Sequence, residues 1–148
     1  MSIVIRKAGT DDIPAIQYIR NAVKENRLSH PSVVPDSDVL HFITVRGKGW
    51  VCFDDNVMAG FAIADLEDHN IWALFVLPEQ EGKGIGRALQ QVMLDWYFTQ
   101  TKETVWLGTA PGTRAEGFYR QSGWRDTGMK KNGEAGFEMT YGDWKKDL

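Results

Sequence analysis

The sequence predicts an α+β fold, in which paired strands form a sheet and helices pack against it. Three observations predict it: a strand pair around the polar turn at residues 54–56, a long amphipathic helix after the glycine-rich segment at residues 82–86, and a second strand pair around Asn132 and Gly133. Apolar runs bounded by turn residues indicate strands, and apolar residues spaced by three or four indicate helices. Paired strands interspersed with helices are typical of α+β domains.

The first third of the chain predicts a strand and two helices. Residues 3–5 open a short strand, and Thr10 is expected to cap a first helix that has acidic residues in its first turn. The apolar stripe of this helix recurs at helical spacing: Ile13, Ile16, Ile19 and Val23. A weaker second helix is predicted over residues 36–45, before a turn at residues 47–49.

The middle of the chain predicts the centre of the sheet. Residues 50–53 and 57–66 are expected to pair as a hairpin. Residues 71–77 are apolar on both faces, which predicts a central strand covered on both sides. Pro78 cannot donate a hydrogen bond to a sheet and ends this strand. The helix after the glycines should run to about Gln100.

The last third predicts a short helix among three strands. Thr113 and Glu116 have capping-box spacing, and Gly123 can end the helix that they begin. The predicted strands occupy residues 104–107, 124–127 and 137–141. We expect residues 137–141 to form an exposed edge through which two protomers could pair as a homodimer.

Length and composition limit the function classes. The chain has 148 residues, 43% hydrophobic and 25% charged, which predicts one globular domain over residues 1–148. A net charge of −3 disfavours nucleic acid as a partner. The longest apolar run is too short for a bilayer and no signal segment opens the chain, so we expect no membrane partner and a cytoplasmic location. Cys52 is the only cysteine, and no cluster has metal-ligand spacing, so no metal is expected.

Three alternating glycines, Gly82, Gly84 and Gly86, lie between the apolar strand and the long helix. Glycines let backbone N–H groups turn toward a ligand, and a helix start adds partial positive charge, so the segment predicts an anion site, most plausibly for phosphates. A Walker loop would need Lys and then Ser or Thr after the last glycine, whereas Arg87 and Ala88 follow here. A dinucleotide fingerprint would need its third glycine one position later. Both classes are therefore disfavoured.

Two segments carry a family resemblance: the glycine loop through Leu89, and residues 115–124, which contain Phe118 and Tyr119. With the order strand, glycine loop, long helix, strand and short helix, the sequence resembles the GNAT N-acetyltransferase superfamily over nearly the whole chain. The resemblance implies a three-layer α/β/α fold with about four helices. Its mixed, mostly antiparallel sheet of six to seven strands would splay at the middle, with acetyl-CoA wedged into the opening as cosubstrate.

The resemblance also implies which residues bind the coenzyme. The pyrophosphate would rest on amides around residues 82–87, and the pantetheine arm would pair with backbone near Phe75 and Leu77. Arg114 and Arg120 could neutralise phosphates, although solvated helix charges explain them as well. The expected binding residues are Phe75, Val76, Leu77, Gly82, Lys83, Gly84, Ile85, Gly86, Arg87, Arg114 and Tyr119.

Glu81 departs from the family pattern, which usually has Gln or Arg at this position. A carboxylate beside a pyrophosphate is unfavourable by sign, unless it points away or Lys83 and Arg87 offset it. Backbone amides make most of the expected phosphate contacts, so the change leaves the binding mechanism available.

Acetyl transfer needs a proton donor for the departing thiolate and a polarised carbonyl. Tyr119 stands where the resembled family carries the tyrosine that protonates the coenzyme sulfur, and its spacing alone fits a packed tyrosine at a helix end equally well. A backbone N–H near Phe75 or Val76 is expected to polarise the carbonyl. Tyr119 is therefore the catalytic residue that we expect.

The general base is not identified by the sequence. The family often has a Glu early on the central strand, where this chain has Ile71, Trp72 and Ala73. The substitutes are His30 in the loop after the first helix and four residues near the hairpin turn: Asp65, Glu67, Asp68 and His69. Each could instead be a solvated turn residue, and orientation with a water relay could replace a dedicated base.

These inferences predict an acetyl-CoA-dependent N-acetyltransferase. The acceptor would be an amine on a small molecule or on a protein terminus or lysine, bound near residues 20–39. An alternative is a catalytically silent acyl-CoA-binding sensor or scaffold, which the missing strand glutamate favours. Acetylation of charged transfer RNA is a third reading, which the acidic net charge disfavours.

Overall fold

A computed structural model of the chain describes residues 3–23 and 34–146, which form seven strands and five α-helices. The strands are β1 (Ile3–Lys7), β2 (Gly47–Asp54), β3 (Val57–Asp65), β4 (Asn70–Val76), β5 (Val105–Thr109), β6 (Arg125–Met129) and β7 (Ala135–Met139). The helices are α1 (Ile13–Ala22), α2 (Asp36–His41), α3 (Ile85–Gln100), α4 (Arg114–Gln121) and α5 (Tyr141–Lys146). A π-helical turn, Phe42–Arg46, extends α2.

All seven strands belong to one sheet in the order β1-β2-β3-β4-β5-β7-β6. β4 and β5 are parallel, and every other neighbouring pair is antiparallel. Within the described chain, β4 and β5 pair only where they begin, at Asn70 and Trp106. The sheet therefore opens between their carboxyl ends, and the predicted mixed, splayed sheet is confirmed.

Helices cover both faces of the sheet and give the three predicted layers. On one face the apolar stripe of α3 is buried, including Leu89 and Met93. On the other face Ile16 and Ile19 of α1 pack with Val39 of α2. β4 contributes side chains to both clusters, as expected for a strand that is apolar on both faces.

Two predictions for the first half of the chain are wrong in detail. Residues 47–49, expected to form a turn, begin β2, and a Cβ at Gly49 would crowd the side chain of Ile43. Thr10 does not cap α1, because Thr10–Asp12 forms a separate 3₁₀ turn. Sequence spacing does not distinguish such a turn from the first turn of an α-helix.

The second half of the chain follows the prediction more closely. The Thr113 hydroxyl accepts a hydrogen bond from the Glu116 N–H at 3.3 Å, and Gly123 has a φ of 88° just after α4. However, β7 lies between β5 and β6, so the expectation that residues 137–141 form an exposed edge for a homodimer is wrong. Long-range strand order decides this point, and local patterns do not contain it.

Of the helices in the described ranges, none combines the length and apolar character that a bilayer span requires.

Asp12, just before α1, connects this helix to β1 through hydrogen bonds. Its carboxylate accepts two hydrogen bonds from the Arg6 guanidinium and one from the Gly9 N–H, each at 2.8 Å. The Arg6 hydrogen bonds, helped by the Gly9 amide, hold the pKa of Asp12 below its usual value. These contacts fix the direction of α1, which carries Arg20 in its last turn.

We expect Asp12→Asn to lower the free energy of unfolding at neutral pH by about 1 kcal/mol, because it removes charge-assisted hydrogen bonds to a half-exposed arginine. The folded-state pKa of Asp12 is depressed, so this stability is present above the unfolded pKa and is lost as the pH falls through the folded pKa. Urea unfolding of variant and parent should therefore converge in acid. Asp11→Asn, at the exposed neighbouring carboxylate, is the control, and a difference that persists unchanged in acid would contradict the assignment.

Candidate functional site

A cavity of about 380 Å³ lies where β4 and β5 separate. Its walls come from the carboxyl end of β4, the loop after it, the first turn of α3 and one side of α4, with Val23 from the end of α1. All of the expected binding residues except Leu77 and Lys83 line it: Phe75, Val76, Gly82, Gly84, Ile85, Gly86, Arg87, Arg114 and Tyr119. The fold thus brings together residues that are up to 96 positions apart, from Val23 to Tyr119.

The register of β4 determines which backbone groups face the cavity. The Leu77 N–H donates to the carbonyl of Ala59 next to β4, at 2.9 Å. In an antiparallel ladder, the backbone groups of successive residues point alternately to the two neighbouring strands. The backbone N–H and C=O groups of Phe75 therefore face β3, as the Leu77 N–H does, and those of Leu74 and Val76 point toward β5. The sequence predicts that backbone groups near Phe75 and Leu77 pair with the ligand. The register instead directs Leu74 and Val76 into the opening, which explains why Leu77 does not line the cavity.

The glycine loop presents backbone rather than side chains to the cavity. Gly82 and Gly84 have φ values of 81° and 83°, in the left-handed region that favours glycine, and a Cβ on either would meet no atom within 4 Å. The first intrahelical hydrogen bond of α3 runs from the Ala88 N–H to the Gly84 carbonyl. The N–H groups of Ile85, Gly86 and Arg87 therefore have no partner within the helix. This arrangement can bind an anion.

The charged side chains around the loop are paired in a specific way. Lys83 turns away from the cavity, because its ammonium group contacts Asp54 at 3.1 Å and the Gln80 side-chain oxygen at 3.0 Å. Glu81 lies 3.6 Å from the guanidinium of Arg114, so the carboxylate that departs from the family pattern is offset by a neighbouring cation. Both Glu81 and Arg114 line the cavity.

Tyr119 lies on the α4 wall and is buried. Its ring contacts three aromatic rings, those of Phe118, Trp124 and Phe137, with centroid distances of 5.3–5.9 Å. The indole N–H of Trp124 donates to the side-chain oxygen of Gln90 on α3 at 3.0 Å, which fixes this cluster against the long helix. Burial raises the pKa of Tyr119 above its usual value, so the phenol stays protonated at neutral pH.

Six lining residues were not among the expected binding residues: Val23, Leu74, Gln80, Glu81, Ala115 and Phe118. Leu74 follows from strand alternation, because it stands two residues before Val76. Ala115 and Phe118 lie on the same side of α4 as Tyr119, at helical spacing. Val23 has no local signal, since only the packing of α1 on the sheet brings it there.

The four substitutes for a general base that fall within the described residues do not line the cavity. Asp65, Glu67 and Asp68 surround the guanidinium of Arg46, at 2.7, 3.6 and 2.9 Å, at the opposite end of β4. His69, in the same turn, contacts the hydroxyl of Tyr97 at 3.1 Å through Nδ1. His30 lies outside the described residues.

Other candidate groups have structural partners. Arg120 lies between Glu116 and Asp126, at 2.8 and 2.6 Å, and these contacts raise its pKa. Cys52 is buried in the sheet, and burial raises the pKa of its thiol, which favours a structural over a nucleophilic role. Across residues 3–23 and 34–146, no group of three or more His, Cys, Asp or Glu side chains could hold a metal ion.

Comparison with known families and structures matches this architecture. The model of the acetyltransferase (GNAT) family matches residues 16–124. No curated protein matches the chain in sequence. The structural comparisons below are at 18–20% identity, so they establish the fold.

Three solved structures illustrate the similarity. The PaiA N-acetyltransferase of Thermoplasma acidophilum, in complex with coenzyme A, has 18% identity and a TM-score of 0.78, over 95% of this chain and 100% of that one. The ribosomal-protein-S18-alanine N-acetyltransferase of Escherichia coli has 20% identity and a TM-score of 0.70, over 93% and 92%. The phosphinothricin acetyltransferase of Sinorhizobium meliloti, in complex with acetyl-CoA, has 18% identity and a TM-score of 0.76, over 95% and 89%.

Proposed function

The chain belongs to the acetyltransferase (GNAT) family, and we propose that it transfers the acetyl group of acetyl-CoA to a primary amine of a small molecule or protein. The observation that carries the proposal is the cavity itself, which brings together the glycine loop, the edge of β4 that β5 leaves open and the buried Tyr119. The family match covers residues 16–124, which supports one acetyltransferase domain over residues 1–148. A single buried cysteine is compatible with the cytoplasmic location that we propose.

In this proposal the coenzyme phosphates bind at the start of α3. The free N–H groups of residues 85–87 and the left-handed backbone at Gly82 and Gly84 supply donors, and Arg87 supplies a charge. Arg114 sits across the cavity mouth with Glu81 and can exchange that carboxylate for a phosphate. Lys83 would contribute indirectly, because its pairing with Asp54 holds the loop against the end of β2.

The pantetheine arm would extend along the free edge of β4. The backbone groups of Leu74 and Val76 face this edge, and an extended chain with amide groups can pair with them as a neighbouring strand would. The Val76 or Leu74 N–H would then donate to the thioester oxygen and stabilise the negative charge that develops there.

The chemical step is a direct attack of the neutral amine on the thioester carbon. A C–N bond forms, the C–S bond breaks, and the sulfur takes the phenolic proton of Tyr119. The nitrogen loses one proton, which returns to the tyrosine through water, so the products are an amide and the free thiol of coenzyme A. Among the described lining residues, the carboxylate is that of Glu81, which lies beside Arg114 where the phosphates are proposed to bind. We therefore assign no dedicated base, since proximity alone can lower the barrier by ~7 kcal/mol.

A coupled assay of thiol release tests the proposal. Acetyl-CoA is mixed with polyamines, L-amino acids, aminoglycosides and peptides, and the released thiol is compared with acetylated product by mass spectrometry. We expect equal amounts of thiol and product with at least one amine class. Tight coenzyme binding with no thiol release across the panel would instead support the silent acyl-CoA-binding module.

Gly84→Val tests the loop. Valine is strained at a φ of 83° and its side chain would project into the space that the phosphates are proposed to fill, so we expect the Kd for acetyl-CoA to rise at least about tenfold. Gly133→Val is the matched control, because Gly133 has a φ of 90°, equally open surroundings and a position in the distant β6–β7 turn. Calorimetry measures both, and unchanged affinity in the Gly84 variant would overturn the loop assignment.

Tyr119→Phe tests the proton donor. We expect kcat to fall on the order of a hundredfold with little change in coenzyme Kd, because the ring stays packed while the proton is lost. Since the pKa of Tyr119 is raised, the parent enzyme should keep this donor at all pH values in the assay range. Tyr97→Phe is the control: its hydroxyl bonds to His69 and the Glu103 carbonyl outside the cavity, so stability should fall but turnover should not. Unchanged turnover in Tyr119→Phe across pH would rule out the acid role.

A further inference from the structure

Arg20 is a partly buried cation near the cavity with no described anionic partner. It lies in the last turn of α1, and its Nη1 atom is buried without a hydrogen-bond acceptor in the part of the chain that the structure describes. Burial lowers the pKa of Arg20 below its usual value, which reflects this loss of solvation. A buried hydrogen-bond donor without an acceptor is unfavourable, so this Nη1 atom calls for an explanation.

An irregularity in β4 builds the surface on which Arg20 rests. Trp72 and Phe75 are three residues apart, so a regular strand would direct their side chains to opposite faces. The register shifts between Ile63 and Ala64 of β3, and the resulting bulge places Trp72 and Phe75 on the same face, toward α1. The Arg20 guanidinium lies over both rings, at 5.2 Å from the Trp72 centroid and 5.5 Å from that of Phe75.

Phe42 completes this surface. Its ring stacks on Trp72 with a centroid distance of 3.9 Å and an interplanar angle of 7°. We call the four residues Arg20, Phe42, Trp72 and Phe75 the arginine–aromatic surface. Aromatic faces hold a guanidinium in one orientation and leave its N–H groups available at the edge, where a carboxylate can bind in a bidentate manner.

Four described carboxylates on the neighbouring elements bond to other groups. Asp65 and Asp68 pair with Arg46, whose own guanidinium lies over Phe42. Asp12 pairs with Arg6, and the Asp36 carboxylate accepts from the Gln17 side chain at 3.1 Å. The described ion pairs thus neutralise Arg46 and Arg6 but not Arg20.

The arginine–aromatic surface adjoins the cavity. Phe75 belongs to both, and Val23, three residues after Arg20, also lines the cavity. The glycine loop, where the phosphates are proposed to bind, supplies another wall through Gly82 and residues 84–87. An anion held by Arg20 would therefore lie close to the reacting end of the cavity and not at its phosphate end.

We propose that Arg20 binds a carboxylate of the acceptor, so that the acceptor is an amine that carries a carboxylate near the reacting nitrogen, as an α-amino acid does. The inference rests on the proposed acetyl transfer and adds the acceptor class. A polyamine or an aminoglycoside would bring more positive charge to Arg20 and would be disfavoured. The two contacts together, carboxylate on Arg20 and amine at the thioester, would orient the acceptor for attack.

The test compares each of several L-amino acids with its own carboxamide, including L-phenylalanine, L-methionine and glycine. The measured quantity is the ratio of kcat/KM for the acid to kcat/KM for the amide, in the parent enzyme and in Arg20→Met. Taking this ratio in both proteins cancels the difference in basicity between the two amines. Arg125→Met is the control, because Arg125 is exposed on β6 and pairs with Asp143 away from the cavity.

We expect the ratio of acid to amide to be about 30-fold or more lower in Arg20→Met than in the parent enzyme, because the variant loses the contact with the carboxylate. The loss should appear in KM with kcat nearly unchanged, because the contact is made before and during the reaction. Arg20→Lys, which keeps the charge but not the bidentate fork, should recover part of it. Arg125→Met should match the parent.

A structural role for Arg20 would give a different result. Arg20→Met and Arg20→Lys would then lower the melting temperature and scale the rates of acid and amide equally, which would overturn the proposal. A ratio that rises from the parent enzyme to Arg20→Met would overturn it as well.

A second measurement distinguishes a failure of the acetyl-transfer proposal from a failure of the carboxylate site. If no amine in the panel is acetylated, binding of N-acetyl-L-phenylalanine and of its carboxamide to the complex with coenzyme A is measured by calorimetry. Tighter binding of the acid that depends on Arg20 would keep the carboxylate site although the transfer proposal failed. Equal binding of the two would overturn the site.

Discussion

The loss of the β5 partner after one residue pair is the constraint on which the rest of the site depends. After Asn70, β4 has a paired edge toward β3 and an open edge toward β5. Backbone donors and acceptors at Leu74 and Val76 must bond to something other than a strand, and water or an extended ligand can satisfy them. The same opening leaves the start of α3 and the Tyr119 wall facing one cavity. The interruption of the β4–β5 ladder therefore produces both the open backbone edge of β4 and the cavity beside it.

The charges around the opening follow from the same geometry. Lys83, the lysine of the glycine loop, is held by Asp54, and Glu81 is held against Arg114. The loop thus keeps its side chains engaged with protein groups while its amides face the cavity. Anion binding at such a site depends mainly on the orientation of N–H groups, which is why a carboxylate at position 81 is compatible with a phosphate-binding loop.

The sequence predicted the features that are encoded locally. The long helix, the central strand ended by Pro78 and the glycine loop follow from periodicity and backbone chemistry over short windows. The position of β7 inside the sheet, the pairing of Lys83 with Asp54 and the approach of Val23 to the cavity depend on residues far apart in sequence. No local pattern contains such contacts. The bulge at Trp72 was missed for a related reason, because a strand that is apolar on both faces shows no alternation that a shift could interrupt.

Because of that bulge, the open edge of β4 and the face of β4 toward α1 can contact different molecules. On the open edge, the regular part of the strand offers backbone to an extended ligand, while on the α1 face Trp72 and Phe75 support the guanidinium of Arg20. A reaction between two bound molecules needs each to be held independently and their reactive atoms to meet. The lining residues described here offer no carboxylate base beside Tyr119, so the rate would have to come from this positioning and from the polarised carbonyl. An acceptor fixed at a second point by its own charge meets that requirement better than one held by its amine alone.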